Sequence, residues 1–177
     1  MDNEILIKTL CQAHFEAAMN NNNVSSAMVK QVASVGKGLP EAIAAACLTL
    51  GEVHGPTTQA RRVLFEEDDD NVIRSNLEQG NKVPGFGNAF FKNGVDPAFK
   101  EISDIIYKDH PEVGQRIDDV GELIVEVRGN RVYPNAAAFT ASVAHILDIP
   151  WHTEVGLLIM GRTPAWIQQF TEFRYQG

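Results

Sequence analysis

Of the five histidines in this 177-residue chain, His54 stands out by its setting, Gly51-Glu52-Val53-His54-Gly55-Pro56. A histidine at a helix end can hydrogen-bond a ligand or move a proton near neutral pH. The glycines beside it let a ligand approach the backbone closely. A second permissive loop, Val83-Pro84-Gly85-Phe86-Gly87-Asn88, lies further along. Neither loop is specific alone: turns closing helices, with a surface histidine, explain both equally well. His14 falls on or beside the apolar face of a helical stretch, where a histidine is more often a satisfied core residue than a ligand. The acidic run 66–70 is contiguous and lacks the interleaved glycine of a calcium loop, so it reads as a solvated loop. Cys11 and Cys47 are too few for a metal site and lie on apolar helical stretches, which favours buried thiols over a disulfide. No metal is expected.

Composition narrows the function classes. A net charge of −8 opposes binding to a phosphate backbone, so nucleic acid is not an expected partner. An anionic ligand would need a local basic pocket. With 44% hydrophobic residues the chain can bury a sizeable core, as one domain or a domain plus a small lobe. There is no basic n-region followed by an apolar segment, and no apolar run reaches about 18 residues. The expectation is an unsecreted cytoplasmic protein with no membrane partner.

The elements that must position these loops are mostly helices. Residues 4–19 place Ile7, Leu10, Cys11, His14 and Ala18 at helical spacing. Asn20–Asn23 breaks this helix, Ser25 or Ser26 is a candidate cap for the next, and Gly36-Lys37-Gly38 ends that one. Residues 39–50 are apolar nearly all round and rich in alanine, which predicts either a central core helix or a subunit interface. Helices are expected over 57–67, 71–80 and from Asp96-Pro97 to about 109. Residues 111–127 can be helical, but the β-branched run 123–127 suggests a strand, paired across Arg128-Gly129-Asn130 with 131–133 as a small β-hairpin. An alanine-rich helix follows Pro134-Asn135, then helices over 151–160 and from Pro164 to about Tyr175, separated at Gly161. The predicted class is all-α with one small hairpin.

Six motifs in order carry a family resemblance: GEVHG (51–55), VPGFGN (83–88), KNGVDP (92–97), YPNAAAF (133–139), HILDIP (145–150) and MGRTPAWIQQF (160–170). Together with QAHFE (12–16), this series resembles citrate synthase over nearly the whole chain. The resemblance implies an all-helical fold of a large and a small domain, usually as a homodimer. On that pattern residues 1–50 and 151–177 match large-domain helices and 51–150 the small lobe. The resemblance also implies a subunit longer than this chain, which would begin near the last large-domain helices and stop short of the family's C-terminal arginine-bearing tail.

In that family an enol made from acetyl-CoA adds to the ketone of oxaloacetate. This requires a base, donors for two oxygens and cations for two carboxylates. His54 matches the thioester-side histidine, His14 the dicarboxylate-binding histidine, and Arg162 an arginine before the Trp166 segment. Three positions depart from the pattern. Asn88 stands for the second catalytic histidine, Ala98 for an arginine, and Ala137 for the aspartate base. The residues resembling the coenzyme A site are better kept: Val83, Gly85, Phe86, Gly87, Lys92, Arg131 and Asn135. The resemblance therefore predicts a truncated, catalytically impaired relative that binds coenzyme A, an acyl-CoA or a protein partner. One alternative is an active citrate synthase, citryl-CoA lyase or acyl-CoA hydrolase using His54, with Glu52, Glu122 or Glu126 as replacement carboxylate. Another is a structural or assembly protein. A homodimer or larger assembly is expected through 39–50.

Overall fold

The computed structural model describes residues 2–66 and 69–175, and it is helical from its first element. Asp2 caps α1 (Asn3–Asn20) by accepting from Glu4 N. The cap of α2 (Val24–Ser34) is Asn23, whose side chain accepts from Ser26 N at 3.1 Å; neither candidate serine has this role. The glycine turn at Gly36 (φ 80°) leads to α3 (Leu39–Leu48). The chain then passes the His54 loop to α4 (Thr57–Arg61), which widens into a π-helical turn over Arg62–Glu66. Asp69 caps α5 (Asp70–Glu78), accepting from Asn71 N at 2.9 Å. Two members of the acidic run therefore build a helix start, while Glu67 and Asp68 lie outside the described residues. A 3₁₀ turn at Pro97–Phe99 opens α6 (Lys100–Asp109), and α7 (Pro111–Arg128), α8 (Ala136–Ile146) and α9 (Val155–Tyr175) complete the chain.

The all-α class holds, but the hairpin does not form. Residues 123–127 are the last turns of α7, whose buried stripe Val113, Ile117, Val120, Ile124 continues at helical spacing. Burying such side chains contributes about 1.5–3 kcal/mol each. The helix penalty of a β-branched residue is at most about 0.7 kcal/mol. The supposed turn is the helix terminus: Gly129 adopts φ 70° and its N–H reaches Val125 O at 2.8 Å. Among the described residues the strand-like pairing is an isolated bridge between Phe86 and Pro134.

The break expected at Gly161 is also absent, because α9 runs straight through it. A β-carbon at Gly161 would lie 2.7 Å from His14 Cβ and 3.0 Å from the Cys11 backbone. The glycine thus marks where α1 and α9 touch. Pro164 sits inside the same helix on its exposed face.

Around buried α8, residues of α1, α4, α5, α6 and α7 form the larger core, including Leu10, Leu64, Ile102, Ile117 and Phe139. A second cluster joins α2, α3 and α9 through Val29, Ala33, Ala42, Ala46, Trp166 and Phe170. Helix α3 is not central. It buries Ala42 and Ala46, while Ala44 and Leu48 are exposed, Leu48 to 86%. Cys11 and Cys47 are free and half-buried, less enclosed than their stretches suggested. No described helix is long and apolar enough to cross a membrane.

Candidate binding site

His54, Ser25 and Arg162 come together from the loop after α3, the start of α2 and the middle of α9. Arg162 Nη1 donates to Ser25 Oγ and to His54 Nε2, both at 3.2 Å. Ser25 Oγ in turn donates to Asn23 Oδ1 at 2.8 Å, so its hydrogen is directed away from His54. With Nε2 accepting, the His54 proton resides on Nδ1. Burial, and then the Arg162 charge, push the His54 pKa down to about 4. Burial also lowers Arg162 to about 10, against the opposing pull of Asp96.

His14 is fully buried one layer further in. Thr140 Oγ1 donates to Ala136 O at 2.7 Å and so accepts from His14 Nε2–H at 2.8 Å. Nδ1 is left bare and unpartnered among the described residues. Burial, aided by Arg162, holds His14 well below the usual histidine range. Its ring meets Phe99 edge-on at 5.1 Å. Asp96 is also buried, accepting from Ala98 N at 3.1 Å and Asn21 Nδ2 at 3.4 Å. Burial raises its pKa, and its hydrogen bonds from Ala98 N and Asn21, together with the nearby Arg162 charge, only partly offset the rise.

The remaining candidates form a second group around the 83–88 loop. Gly87 N donates to Tyr133 O at 2.8 Å, Asn135 N to Gly85 O at 2.9 Å, and Asn135 Nδ2 to Gly87 O at 2.7 Å. Gly85 (φ 90°) fits against Ala60 and Ala138, where a β-carbon would lie 3.1 and 3.3 Å from theirs. This glycine is therefore explained by loop geometry without a ligand. Val83 and Phe86 are buried, and Lys92 is exposed. Arg131 lies 5.4 Å from the Tyr133 ring centroid. Asn88 Oδ1 accepts from Phe90 N at 2.9 Å. The first turn of α8 lies between the two groups. Asn135 caps it onto the loop, Thr140 bonds to His14, and the Ala137 methyl between them is buried. Ala98 packs partly buried against the same core.

Of the three carboxylates considered as replacements, Glu126 pairs with Arg74 at 2.9 and 2.8 Å on the surface. Glu122 lines a cleft of about 330 Å³ with Phe86, Arg131 and Tyr133. Glu52 lines a separate cleft of about 650 Å³ with Trp151 and Thr58. Ser25, Thr140 and Asp96 are polar members of the site that sequence reasoning missed. Their partners lie far along the chain, 137 residues for Ser25–Arg162 and 126 for Thr140–His14. No local pattern could have marked them.

Chemically, the cluster offers a neutral imidazole N–H and a guanidinium as hydrogen-bond donors, with the buried Asp96 carboxylate near the guanidinium as an acceptor. No described group of three or more His, Cys, Asp or Glu side chains is placed to hold a metal ion.

The low His54 pKa has a consequence for stability. An unfolded histidine takes its proton near pH 6.5. The folded protein resists protonation until about pH 4. Folding is therefore favoured above pH 6.5, and this contribution is lost as the pH falls from there toward 4. The urea midpoint of the wild type should drop more steeply between pH 7 and pH 4.5 than that of His54→Gln. Equal slopes would show that His54 titrates normally.

A model of the family described as citrate synthase, C-terminal domain, matches residues 3–176. Similar solved structures include citryl-CoA lyase from Hydrogenobacter thermophilus, with TM-score 0.81 and 23% identity, over 98% of this chain and 70% of that one. Citrate synthase from Thermotoga maritima gives TM-score 0.77 at 22% identity, over 92% of this chain and 48% of that one. Citrate synthase from Thermoplasma acidophilum, solved with carboxymethyl coenzyme A and oxaloacetate, gives 0.78 at 22%, over 99% and 50%. The chain spans about half the length of these two citrate synthases.

Proposed function

The chain belongs to the citrate synthase family, and on that premise we propose that it acts by binding coenzyme A or an acyl-CoA rather than by condensation. In this reading residues 51–150 form the smaller lobe against helices of 1–50 and 151–177. The observation that carries it is a site rich in donors whose family base position is an alanine, while its one buried carboxylate, Asp96, already accepts from Ala98 N and Asn21. The Ala137 methyl is buried, and the His54 Nε2 lone pair is engaged by Arg162. A general base needs a pKa near the working pH, and a histidine at about 4 is a weak one.

The residues beside the 83–88 loop fit one end of such a ligand. The cleft of about 330 Å³ is at the small end for ligand pockets, enough for a purine ring against Phe86, Val132 and Pro134. Arg131 lines the cleft and supplies a cation for phosphates, exposed Lys92 outside that lining is a second candidate, and Asp118 and Glu122 in the cleft weaken the attraction. In this reading His54 Nδ1–H is the donor for the thioester oxygen. The Thermoplasma acidophilum citrate synthase solved with carboxymethyl coenzyme A supports the ligand class. Calorimetry should give a Kd between micromolar and millimolar, about −8 to −4 kcal/mol. Binding should weaken as salt screens the phosphates, and several-fold more in Arg131→Ala. No heat and no competition at millimolar coenzyme A would overturn the reading and favour a protein partner.

We also propose a homodimer or larger assembly through α3. Its outward Ala44 and Leu48 are exposed, as are Val35 before it and Val53 after it in the chain. A large exposed apolar patch usually marks an interface, and a symmetric contact is the commonest way to cover one. Light scattering at micromolar concentration should report at least twice the chain mass, reduced by Ala45→Glu. A monomer in the wild type would refute it.

A further inference from the structure

The connection from α8 to α9 holds two non-glycine residues in left-handed backbone, Asp148 (φ 50°) and His152 (φ 67°). Such conformations persist where the surroundings over-determine them. Here the surroundings are α4. Arg61 Nη1 donates to Ile149 O at 2.6 Å and to Glu154 Oε1 at 3.0 Å. Thr58 Oγ1 donates to the other Glu154 oxygen at 3.1 Å, and the guanidinium lies 5.1 Å from the Trp151 ring centroid. Glu154 is fully buried and Arg61 nearly so. A buried ion pair contributes little net stability, since desolvation offsets attraction, and its best-attested use is to specify geometry.

Its position shows which geometry that is. Glu154 directly precedes α9, with Arg162 about two helical turns further on. Thr58 and Arg61 lie on α4, which starts just after the His54 loop. Among the described residues the backbone bonds of that loop are local, Gly51 N to His54 O and Thr57 N to Gly55 O, both at 2.8 Å. The pair therefore joins the two segments that bear the donor and the acceptor of the Arg162–His54 contact.

We propose that Arg61, Glu154 and Thr58 are positioning residues that set the spacing between the His54 loop and α9, holding Arg162 Nη1 on His54 Nε2 so that the imidazole proton stays on Nδ1. The assignment concerns the unliganded chain and does not depend on coenzyme A binding. Facing His54 are Arg162 from α9 and Ser25 from α2, with Asp96 beyond Arg162.

The test is ¹H–¹⁵N imidazole correlation NMR on the full chain at pH 7, which reads the His54 tautomer directly. The wild type should show protonated Nδ1 and bare Nε2. Glu154→Gln should shift His54 toward the Nε2–H form and raise its titration midpoint. Thr58→Ala, which removes one of the two contacts to α4, should shift it the same way by less. Asp104→Asn, at the exposed Lys100–Asp104 pair, should leave His54 unchanged. A merely structural role would lower the melting temperature of Glu154→Gln without moving the tautomer, and that result overturns the proposal. Should Glu154→Gln fail to fold, an unchanged His54 in folded Thr58→Ala overturns it equally.

Discussion

Gly161→Val should cost about 2–3 kcal/mol, a large share of the roughly 5–15 kcal/mol that stabilises a typical domain. The first added carbon would lie 2.7 Å from His14 Cβ and 3.0 Å from Cys11 Cα and O. Backbone and a β-carbon cannot rotate away as the end of a flexible side chain can, so α1 and α9 must separate. Separation opens the packing around His14 and its 2.8 Å bond to Thr140. Gly161→Ala gains about 1 kcal/mol of helix propensity, which partly offsets the clash, and it should lie between wild type and valine. Urea unfolding would show a lower midpoint with unchanged slope. A valine variant as stable as the wild type would mean that the helices do not approach this closely.

No citrate should form from acetyl-CoA and oxaloacetate above a turnover of about 1 s⁻¹, the low end of ordinary enzymes. Loss of a general base typically removes about 10²–10⁴ in rate, and here the Ala137 methyl and the partly buried Ala98 offer neither proton acceptor nor cation. Ala137→Asp, Ala98→Arg and Asn88→His together should recover some rate. No single restoration should, because such groups act as a unit. The structure adds a second expectation. Position 137 is only 3% exposed, so Ala137→Asp alone buries an unpaired carboxylate and should destabilise the fold by several kcal/mol. The triple variant should recover part of that loss through its new arginine. Thermal melts run beside a thiol-release assay measure both, and wild-type citrate formation above the stated rate would refute the first expectation.

What the sequence by itself determined is local. Helices α1, α2 and α8 lie close to where spacing placed them, since a 3.6-residue apolar period and nearby Asn or Asp caps act within one turn of chain, and α3 starts where Gly38 and Pro40 placed it. Six ordered motifs likewise gave the fold, because they report ancestry over the whole chain. The tertiary structure decided what depends on partners distant in sequence. Residues 123–127 are helical because a core receives Leu123 and Ile124, not because their propensity favours it. Gly161 reads as a breaker until α1 lies against it. His14 reads in sequence as a core residue more than a ligand group, and only Thr140, 126 residues away, fixes its proton. The Arg61–Glu154 pair spans 93 residues and leaves no pattern in the sequence. Burial and hydrogen bonding act through space, so a one-dimensional period cannot encode which groups they bring together.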